Sequence, residues 1–505
     1  MELTQESIAA YLGALQKAGI SPDQLAKAYT QSATSTSGLT YYDLEAGAKL
    51  LFPQITPLIQ MIPRVAGRGG TATNWRSITG INTGTIPMGV TEGLRGGIIA
   101  TSTQDNVASY VTIGLEDSVT FEADLAAQNF DDVKALAVSN LLRASRIGEE
   151  QLVIGGNGSV ALGTCPTPVN VVNSTGGTIT SGTYHVRCIA LTLQAYLRAR
   201  VTTNFGIPTT HTYTLGDGTS SGAINGGASQ VSADTTPAGA GSTQSIVSTV
   251  TSVPGAVAYA WFMGSDGTTN CNLAAITTVN AYTFTAIAGT TTPGSGYATA
   301  VGANFGSDRS TNSLVFNGLI SICAASGSNA LVATSDAAVL TSDTAGGITQ
   351  INADLKSFWD NYRVGPQMIL VNAQEVKNIT KKVVAAGGAP LYRFNMDGAS
   401  GNVLSLAAGT IVGSYLNPFT MDGGQNIKLM LHPNVPPGTI IYYSTSIPYP
   451  LSNVPNVLQI KTRRDWYQLE WPLRNRKWEY GVYSDQVLQC YFPPAFGVRQ
   501  NILDG

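Results

Sequence analysis

Residues 130–158 read FDDVKALAVSNLLRASRIGEEQLVIGGNG, and the rest of the chain is arranged around this stretch. Acidic residues precede the apolar pattern and arginines stand towards its end, which suits the dipole of a helix. The cluster Gly155-Gly156-Asn157-Gly158 is a stop signal. Apolar side chains recur at the three- and four-residue spacing of an amphipathic helix, at Val133, Leu136, Ala137, Leu141, Ala144 and Ile147. The sequence therefore predicts one long helix over Asp131–Gly155.

The composition limits the classes of function. The 505 residues have a formal net charge of −3, and only 12% of them are charged. A chain without an overall basic field does not attract nucleic acid as a whole, so any such contact must come from a local patch. Fifty-five glycines and few charges indicate much β-structure and extensive burial, part of it between subunits.

The sequence shows no membrane or export signal. It has no run of 18 apolar residues, so no membrane span is expected. The first residues, MELTQESIAAYLGALQKAG, lack the basic start and apolar centre of a signal peptide. Five widely spaced cysteines indicate a reducing compartment rather than a disulfide framework: Cys165, Cys188, Cys271, Cys323 and Cys490.

The N-terminal part predicts helices and then an arm. Residues 2–31 have the pattern of two short helices, and the Ser/Thr-rich run 32–38 marks a joint. Asp43–Val65 is apolar but interrupted by prolines at 53, 57 and 63. Because proline breaks regular structure, this segment is expected to be an extended arm that lies on another part of the assembly.

A long β-hairpin is predicted next. Thr71–Ser77 and Val107–Asp124 have strand patterns, and the Gly/Thr-rich segment Gly80–Gly97 between them forms a loose tip. A free hairpin is only marginally stable in water, so this one is expected to rest on a neighbour.

The composition changes abruptly after the long helix. Residues 157–307 contain six charged residues, and strand-like segments at Thr183–Leu193, Ser245–Val253 and Ala256–Met263 alternate with Gly/Ser/Thr/Pro turns. A Thr/Ser-rich linker is one interpretation. Aromatic residues at strand-like spacing favour an immunoglobulin-like β-sandwich instead, namely Tyr259, Trp261, Phe262, Tyr282 and Phe284.

Helical patterns return in the C-terminal third. Ile351, Leu355 and Phe358 share the face of a helix that ends before Gly365-Pro366, and Gln367–Val371 has the pattern of a buried strand. Asn372 with Glu375 three positions later resembles the capping box of a helix that runs to about Ala386. Five strands are then predicted, at Ile427–Leu431, Thr439–Tyr443, Val457–Thr462, Trp466–Trp471 and Trp478–Val487.

The sequence predicts no catalytic, cofactor or metal site. His185 and Cys188 form a lone pair without a set of metal-ligand spacings. Residues 218–222 match the G-x-S-x-G pattern, but they lie in a turn-rich stretch without the strand and helix that a nucleophile elbow needs. The adjacent acidic pairs at 116–117 and 149–150 diverge on regular structure, so they are interpreted as solvated or intersubunit charges.

One basic cluster could contact nucleic acid. It combines Arg463-Arg464 and Arg474–Lys477 with tryptophans at 466, 471 and 478. Strands whose rings point inward and whose charges point outward explain the same pattern. The second interpretation is preferred.

The order of these parts resembles the major capsid protein of tailed bacteriophages, the Hong Kong 97 fold. The arm, the extended hairpin, the helix with its ending IGEEQLVIGGNG, and the segment Phe316–Ile320 carry the resemblance. It implies an α+β fold with an N-arm, an extended loop, a spine helix, axial and peripheral domains, and an immunoglobulin-like insertion. The implied boundaries are 1–65 for the N-terminal helices and N-arm, 66–124 for the extended loop and adjoining peripheral strands, 125–160 for the spine helix, 161–307 for the insertion, 308–410 for the axial domain and 411–505 for the closing strands.

The resemblance implies a structural protein rather than an enzyme. It implies self-assembly of hexamers and pentamers into an icosahedral virion shell around double-stranded DNA, formed in the host cytoplasm. A portal and a decoration protein are expected partners, together with either a separate scaffolding protein or none, and no membrane is involved. An encapsulin-like compartment and a surface adhesin with an immunoglobulin-like domain are the alternatives.

Contacts between subunits are expected to be non-covalent. Some members of the family join subunits through a lysine on the extended loop, but this sequence has no lysine between Lys49 and Lys134. Arginine is a poor nucleophile and instead forms bidentate contacts with carboxylates. The predicted intersubunit contact residues are Arg68, Trp75, Arg76, Arg95, Glu116, Asp117, Glu149 and Glu150.

Overall fold

The computed structural model describes residues 55–81, 88–127, 131–201, 207, 209–239, 241–265, 271–287, 305–385, 393–395, 405–407, 412–421, 424–473 and 475–505. The predicted N-terminal helices, the joint at 32–38, the arm up to residue 54 and residues 82–87 of the hairpin tip lie outside this part. The chain divides into two units, residues 1–52 with 122–133 and residues 53–121 with 134–505. The features described below belong to the second unit unless stated.

Seven α-helices are present in the described residues. They are α1 Pro57–Met61, α2 Phe121–Ala126, α3 Val133–Gly155, α4 Leu193–Val201, α5 Leu319–Ala324, α6 Thr349–Tyr362 and α7 Ala373–Ala385. The predicted long helix is confirmed as α3, whose 23 residues correspond to a length of about 35 Å. Within the first unit, the described part comprises residues 122–127 and 131–133, and Asp131 N–H donates to the carbonyl of Ala127 at 3.1 Å.

The described residues also form 24 strands. These are β1 Arg64–Ala66, β2 Ala72–Ile81, β3 Thr101–Ser109, β4 Val111–Thr120, β5 Val169–Asn173, β6 Gly182–Thr183, β7 His185–Leu191, β8 Thr210–His211, β9 Ile224–Asn225, β10 Ala238–Gly239, β11 Ser245–Thr249, β12 Ala258–Gly264, β13 Cys271–Thr277, β14 Ala281–Phe284, β15 Leu331–Thr334, β16 Met368–Val371, β17 Arg393–Asn395, β18 Ser405–Ala407, β19 Ser414–Asn417, β20 Gln425–Leu431, β21 Ile440–Tyr443, β22 Leu458–Glu470, β23 Lys477–Cys490 and β24 Gly497–Gln500. The mixed α+β fold class is therefore confirmed.

The predicted hairpin is confirmed, with one correction. Strands β2 and β3 pair antiparallel from Ala72 opposite Ser109 to Ile81 opposite Thr101. The single strand expected over Val107–Asp124 is wrong, because the chain changes sheets at Tyr110. Strand β4 pairs with β23 in a four-stranded sheet of order β1-β22-β23-β4, and the chain then enters α2. Pattern alone could not detect this change, since strand alternation continues on both sides of it.

The C-terminal part is built on a six-stranded sheet of order β15-β24-β21-β16-β20-β19. Helix α6 packs its buried residues Ile351, Leu355 and Phe358 into the same core as strands β16 and β21. A buried ion pair fastens α6 to the sheet: Arg499 donates to both oxygens of Asp354 at 2.6 Å, and the Tyr442 hydroxyl donates to the same carboxylate at 2.7 Å.

The capping box expected at the start of α7 is only half formed. The Asn372 side chain accepts a hydrogen bond from Gln374 N–H at 3.2 Å, as an N-cap residue does. Glu375 instead turns to the loop before β21 and accepts a hydrogen bond from Gly438 N–H at 3.1 Å. Burial, reinforced by the charge of Asp504, raises the pKa of Glu375 to about 7 in spite of the hydrogen bonds that it accepts.

The raised pKa of Glu375 predicts that part of the stability depends on pH. The protonated form is favoured in the folded state, so this contribution is complete below about pH 4.5 and is lost as the pH rises through about 7. In the wild type, the free energy of unfolding measured by denaturant should therefore fall on the order of 2–3 kcal/mol between about pH 4.5 and 7. In Glu375→Gln we expect this fall to disappear. The exposed Lys381→Gln variant on the same helix is the control. An unchanged pH dependence in Glu375→Gln would contradict the assignment.

Residues 161–307 contain two three-stranded sheets, β14-β11-β5 and β13-β12-β7. Side chains from both sheets share one core, with Ile246 and Phe284 from the first and Tyr259 and Trp261 from the second. The β-rich character and the predicted strands are confirmed, whereas the immunoglobulin-like topology stays a prediction. Helix α4 was not predicted. Its N-terminus is capped by the Thr192 hydroxyl, which accepts a hydrogen bond from Ala195 N–H at 3.4 Å.

The two ends of the 161–307 segment lie side by side. Gly156 carbonyl accepts a hydrogen bond from Gly318 N–H at 2.8 Å, and Asn157 carbonyl accepts one from Asn312 N–H at 2.8 Å. The glycines allow this close approach, because a Cβ on Gly156 would lie 2.5 Å from the carbonyl oxygen of Phe316. The glycines that end α3 thus lie both where the 161–307 segment begins and where the chain returns after it. An inserted segment requires this arrangement.

Candidate intersubunit site

The C-terminal end of α3 anchors the last part of the N-arm through Glu150. Its carboxylate accepts hydrogen bonds from Leu58 N–H and Ile59 N–H, both at 2.8 Å. These amides belong to the first turn of α1, where helix geometry leaves N–H groups without partners and Thr56 provides no side-chain cap. A remote carboxylate therefore caps α1 from a position 92 residues along the chain.

His432 completes this anchor. Its Nδ1 accepts a hydrogen bond from Asn434 N–H at 3.2 Å, so the ring proton is on Nε2, which donates to Glu150 at 2.7 Å. Glu150 and His432 are both fully buried. The joint between arm, helix and sheet therefore consists of fully enclosed hydrogen bonds.

Glu149 belongs to a second polar cluster beside the first. Its Oε1 accepts hydrogen bonds from Arg64 Nη1 at 2.5 Å and from Gln486 Nε2 at 2.8 Å. Arg64 also donates to both oxygens of Asp465. Burial opposes the charge of Arg64, but the hydrogen bonds to Asp465 and Glu149 outweigh it and raise the pKa of Arg64. This cluster holds β1 to β22, β23 and α3.

These contacts correct the interpretation of Glu149 and Glu150. Both side chains are fully buried and bind partners of their own chain, so they are not solvated charges and are not open to a neighbour's arginine. The sequence itself carries a signal for this burial. Leu152, Val153 and Ile154 follow in succession, and a helix that is apolar on successive positions must be covered on several sides.

Trp75 fixes the base of the hairpin rather than facing outward. Its ring packs edge-to-face on Tyr491 of the same chain, with 5.7 Å between ring centroids. Arg76 lies on the opposite, exposed face and donates to Asp105 of the paired strand at 2.6 and 2.9 Å. The hydrogen bond from Arg76 lowers the pKa of Asp105. The arginine expected to reach across an interface therefore already has a partner within its own hairpin.

The segment 88–100 that leads into β3 is exposed at every residue. Large apolar side chains recur along it and include Ile98 at 91% exposure and Met88 at 81%. Arg95 lies among them, and Arg68 is exposed just after β1. Neither arginine has a carboxylate partner in the described residues. An apolar stretch of this kind at the end of a hairpin indicates a contact surface.

Glu116 and Asp117 lie on β4, which is an edge strand of its sheet within the described residues. Both are exposed, and each has a partner nearby: Glu116 accepts a hydrogen bond from the Tyr483 hydroxyl, and Asp117 accepts one from Ser118 N–H at 2.8 Å. Their carboxylates remain accessible. Of the eight predicted contact residues, Arg68, Arg76, Arg95, Glu116 and Asp117 are exposed in the described chain, and their contact with a neighbour stays a prediction.

The basic cluster on β22 and β23 is largely used within the chain. Arg463 donates to Asp485 at 2.9 Å, and Lys477 pairs with Glu479 at 2.8 Å. The Arg464 guanidinium lies 4.0 Å from the centre of the Tyr467 ring. These contacts agree with amphipathic strands better than with a free nucleic-acid patch.

The residues considered for chemistry are dispersed. His185 Nδ1 lies 2.5 Å from Asp234, while Cys188 is buried in the core of the 161–307 segment. The described residues contain no group of three or more metal-binding side chains, and none of their helices is long and apolar enough to cross a membrane. All five cysteines are buried, and none of them forms a disulfide bond.

Comparison with known proteins gave structural matches alone. No family model matches the sequence, and no curated protein matches it. Among solved structures, the chain is similar to the holo-SrpI encapsulin complex from Synechococcus elongatus PCC 7942, with 9% identity over 90% of this chain and 92% of that one and a TM-score of 0.39. It is also similar to the capsid of Myoviridae phage XM1, with 10% identity, coverage of 94% and 100%, and a TM-score of 0.39.

A third similar structure is the capsid of the cyanophage P-SCSP1u, with 7% identity over 95% of this chain and 98% of that chain and a TM-score of 0.39. Two of these three structures are phage capsids and the third is an encapsulin.

Proposed function

We propose that this chain is the major capsid protein of a tailed bacteriophage and that many copies assemble into an icosahedral shell around double-stranded DNA. The observation that carries the proposal is the hairpin whose exposed, apolar end segment, residues 88–100, has no cover in the described part of its own chain. Exposed apolar surface of this kind needs a protein partner, and in a shell that partner is another copy.

The proposed role of each part of the chain follows from the contacts that hold that part in place. Helix α3 is the rigid element, and the enclosed contacts of Glu149 and Glu150 fix the arm and β1 to it. Trp75 holds the base of the hairpin, so its far end can reach a neighbour with little loss of conformational entropy. The 161–307 segment would decorate the outer surface. The function would be carried out by contacts between copies of the chain, and the chain is proposed not to be an enzyme.

The proposed partners follow from this role. Copies of the chain would form hexamers and pentamers, held by non-covalent contacts because the hairpin lacks lysine. A portal, a separate scaffolding protein and a decoration protein would join them, and DNA would be contacted without sequence specificity. Assembly would take place in the host cytoplasm, and the mature protein would reside in the virion.

Electron microscopy tests the proposal. The full chain, expressed alone and together with its neighbouring genes, should give closed icosahedral particles in negative stain. Uniform shells from the chain alone would remove the need for a separate scaffolding protein. If the chain stays monomeric under both conditions, even at high protein concentration, the capsid function is contradicted.

The contents of the particles separate the capsid from an encapsulin-like compartment. Particles isolated from infected cells should protect double-stranded DNA from nuclease, whereas an encapsulin-like shell would contain a protein cargo and no protected DNA. A surface adhesin would give neither particle. The inserted 161–307 segment and the long N-terminal part favour the capsid.

A further inference from the structure

Two cysteine side chains meet in the core of the 161–307 segment. Cys165 is 2% exposed and Cys188 is 0% exposed, and both belong to the apolar core that contains Tyr259 and Trp261. The Cys188 thiol is hydrogen-bonded to the Cys165 thiol, and the side chain of Tyr259 interacts electrostatically with both sulfur atoms. The two sulfur atoms are therefore neighbours, although the residues lie 23 positions apart in the sequence.

The backbone holds the two cysteines against the same short segment. Cys188 lies on β7, where its N–H donates to the Ser232 hydroxyl and its carbonyl accepts a hydrogen bond from Ser232 N–H, both at 2.9 Å. Cys165 N–H donates to the carbonyl of Gln230 at 2.9 Å. Positions 230 and 232 are at most about 7 Å apart at full extension. Backbone hydrogen bonds as well as side-chain packing thus bring the two cysteines together.

The other three cysteines are arranged differently. Cys271 of β13 belongs to a separate apolar core, and its thiol donates to the carbonyl of His185 at 3.9 Å. Cys323 and Cys490 share the core that includes the end of α3, where burial and then the charge of Cys323 raise the pKa of Cys490. That contact is electrostatic, whereas the thiols of the 161–307 core are hydrogen-bonded to each other. The pair in the 161–307 core is therefore the better placed to form a bond between sulfur atoms.

The surroundings of this pair slow its oxidation. Burial, and then the hydrogen bond to Cys165, raise the pKa of the Cys188 thiol well above its usual value. Because the thiolate is the reactive form, a raised pKa slows exchange with other thiols and disulfides. Cys165 is the more easily released of the two, since it lies in the irregular segment before β5, whereas Cys188 lies in a strand that pairs with β12. Reaction with an oxidant therefore begins at Cys165, when this segment opens locally.

We propose that a disulfide bond joins Cys165 and Cys188 after the protein leaves the reducing cytoplasm. The departure from the cytoplasm rests on the proposed function, since virions are released from the host, whereas the bond itself rests on the two thiols. Closing the bond brings the sulfur atoms to about 2.05 Å from each other.

The oxidant is a small disulfide such as oxidised glutathione. The Cys165 thiolate attacks it, forms a mixed disulfide and displaces one small thiol. The Cys188 thiolate then attacks the sulfur of Cys165 and displaces the second small thiol. The two protons of the protein thiols end on the released thiols. The net reaction converts two protein S–H groups into one S–S bond and reduces one small disulfide to two thiols.

The bond ties the start of the inserted segment to β7. Leu162 N–H donates to the Ser310 hydroxyl at 2.9 Å and Gly163 N–H donates to the carboxylate of Asp308 at 2.8 Å, so Cys165 lies close to the place where the chain returns from the segment. A covalent link here limits local opening of the segment at this end. It also restricts the unfolded chain, which raises the melting temperature.

Thiol counting on the purified full chain tests the proposal. The reduced chain, incubated with oxidised glutathione while folded and then unfolded in denaturant, should show two titratable thiols fewer than the five of the reduced protein. Trypsin cleaves between the two cysteines after Arg187, so peptide 147–187 should be joined to peptide 188–198 until reductant separates them. Five remaining thiols, a persistent glutathione adduct or a bond between any other pair would overturn the proposal.

Alanine variants separate the bond from a general effect of the oxidant. The wild-type chain should melt about 5 °C higher after oxidation than before it. Cys165→Ala and Cys188→Ala should lose this rise, whereas Cys271→Ala, a matched control in the same segment, should keep it. A rise of the same size in Cys165→Ala would contradict the proposal. If an alanine variant fails to fold, the thiol count and the joined peptides of the wild type still decide.

The state of the thiols before and after release tests the setting. Chains alkylated inside intact host cells should carry no bond between these cysteines, and chains alkylated in released particles should carry it. The same state in both samples would overturn the assignment of the bond to the released particle. Five thiols in an oxidised chain that forms shells would overturn the disulfide and leave the capsid function standing. A disulfide in a chain that never forms shells would overturn the capsid function instead.

Discussion

Glu150→Ala should lower the free energy of unfolding by about 3–5 kcal/mol. The variant leaves Leu58 N–H, Ile59 N–H and His432 Nε2–H without an acceptor in a fully buried place. Each such orphan costs about 1–3 kcal/mol. Denaturant unfolding measures the loss, and hydrogen exchange of the Leu58 and Ile59 amides should become faster because their hydrogen bonds are removed.

Two further variants make this prediction specific. Glu150→Gln keeps Oε1, which serves Leu58 and His432, but turns an amide towards Ile59 N–H, so about half of the loss is expected. Glu116→Ala removes an exposed carboxylate from β4 and should cost less than about 1 kcal/mol. Equal losses in Glu150→Ala and Glu116→Ala would show that the anchor of α1 does not depend on Glu150.

Asp354→Ala should destabilise the C-terminal sheet by about 3–5 kcal/mol. Arg499 would then keep its charge in the core, where it is paired with both oxygens of Asp354, and Tyr442 would lose its acceptor. The same helix offers a control. Asp360 forms an exposed pair with Lys356, and Asp360→Ala should cost less than about 0.5 kcal/mol in the same denaturant titration.

A double variant separates the cost of an orphaned charge from the value of the ion pair. Asp354→Leu with Arg499→Met removes both charges, and it should recover most of the stability that Asp354→Ala loses, since apolar replacement of a buried pair is often close to neutral. A double variant as unstable as the single one would show that the pair stabilises the fold by itself.

The sequence alone was sufficient for the elements with a strong local signal. The three- and four-residue spacing along 131–155 and the glycines after it predicted α3, and the strand pattern at Thr71–Ser77 predicted β2. These features are local, because the helix and strand periods act within a few residues. The β-rich character of the 161–307 segment followed from the same kind of signal.

Tertiary structure decided which charges are available. The sequence pattern indicates a solvated acidic pair for Glu149 and Glu150 and half of a capping box for Glu375. In the fold, Glu150 caps a helix 92 residues away, Glu149 binds Arg64, and Glu375 turns to Gly438. The environment of a carboxylate depends on elements far away in sequence, and no local pattern encodes them.

Tertiary structure also decided where Val107–Asp124 divides and what lies beside α3. The strand pattern on both sides of Tyr110 is the same, but the two parts pair with different strands, β2 and β23. A cavity that Gly148 lines lies beside α3, where β4, α4 and β22 meet this helix. Sequence thus determined the elements, since backbone periodicity is local, while the neighbours of each side chain were set by long-range packing.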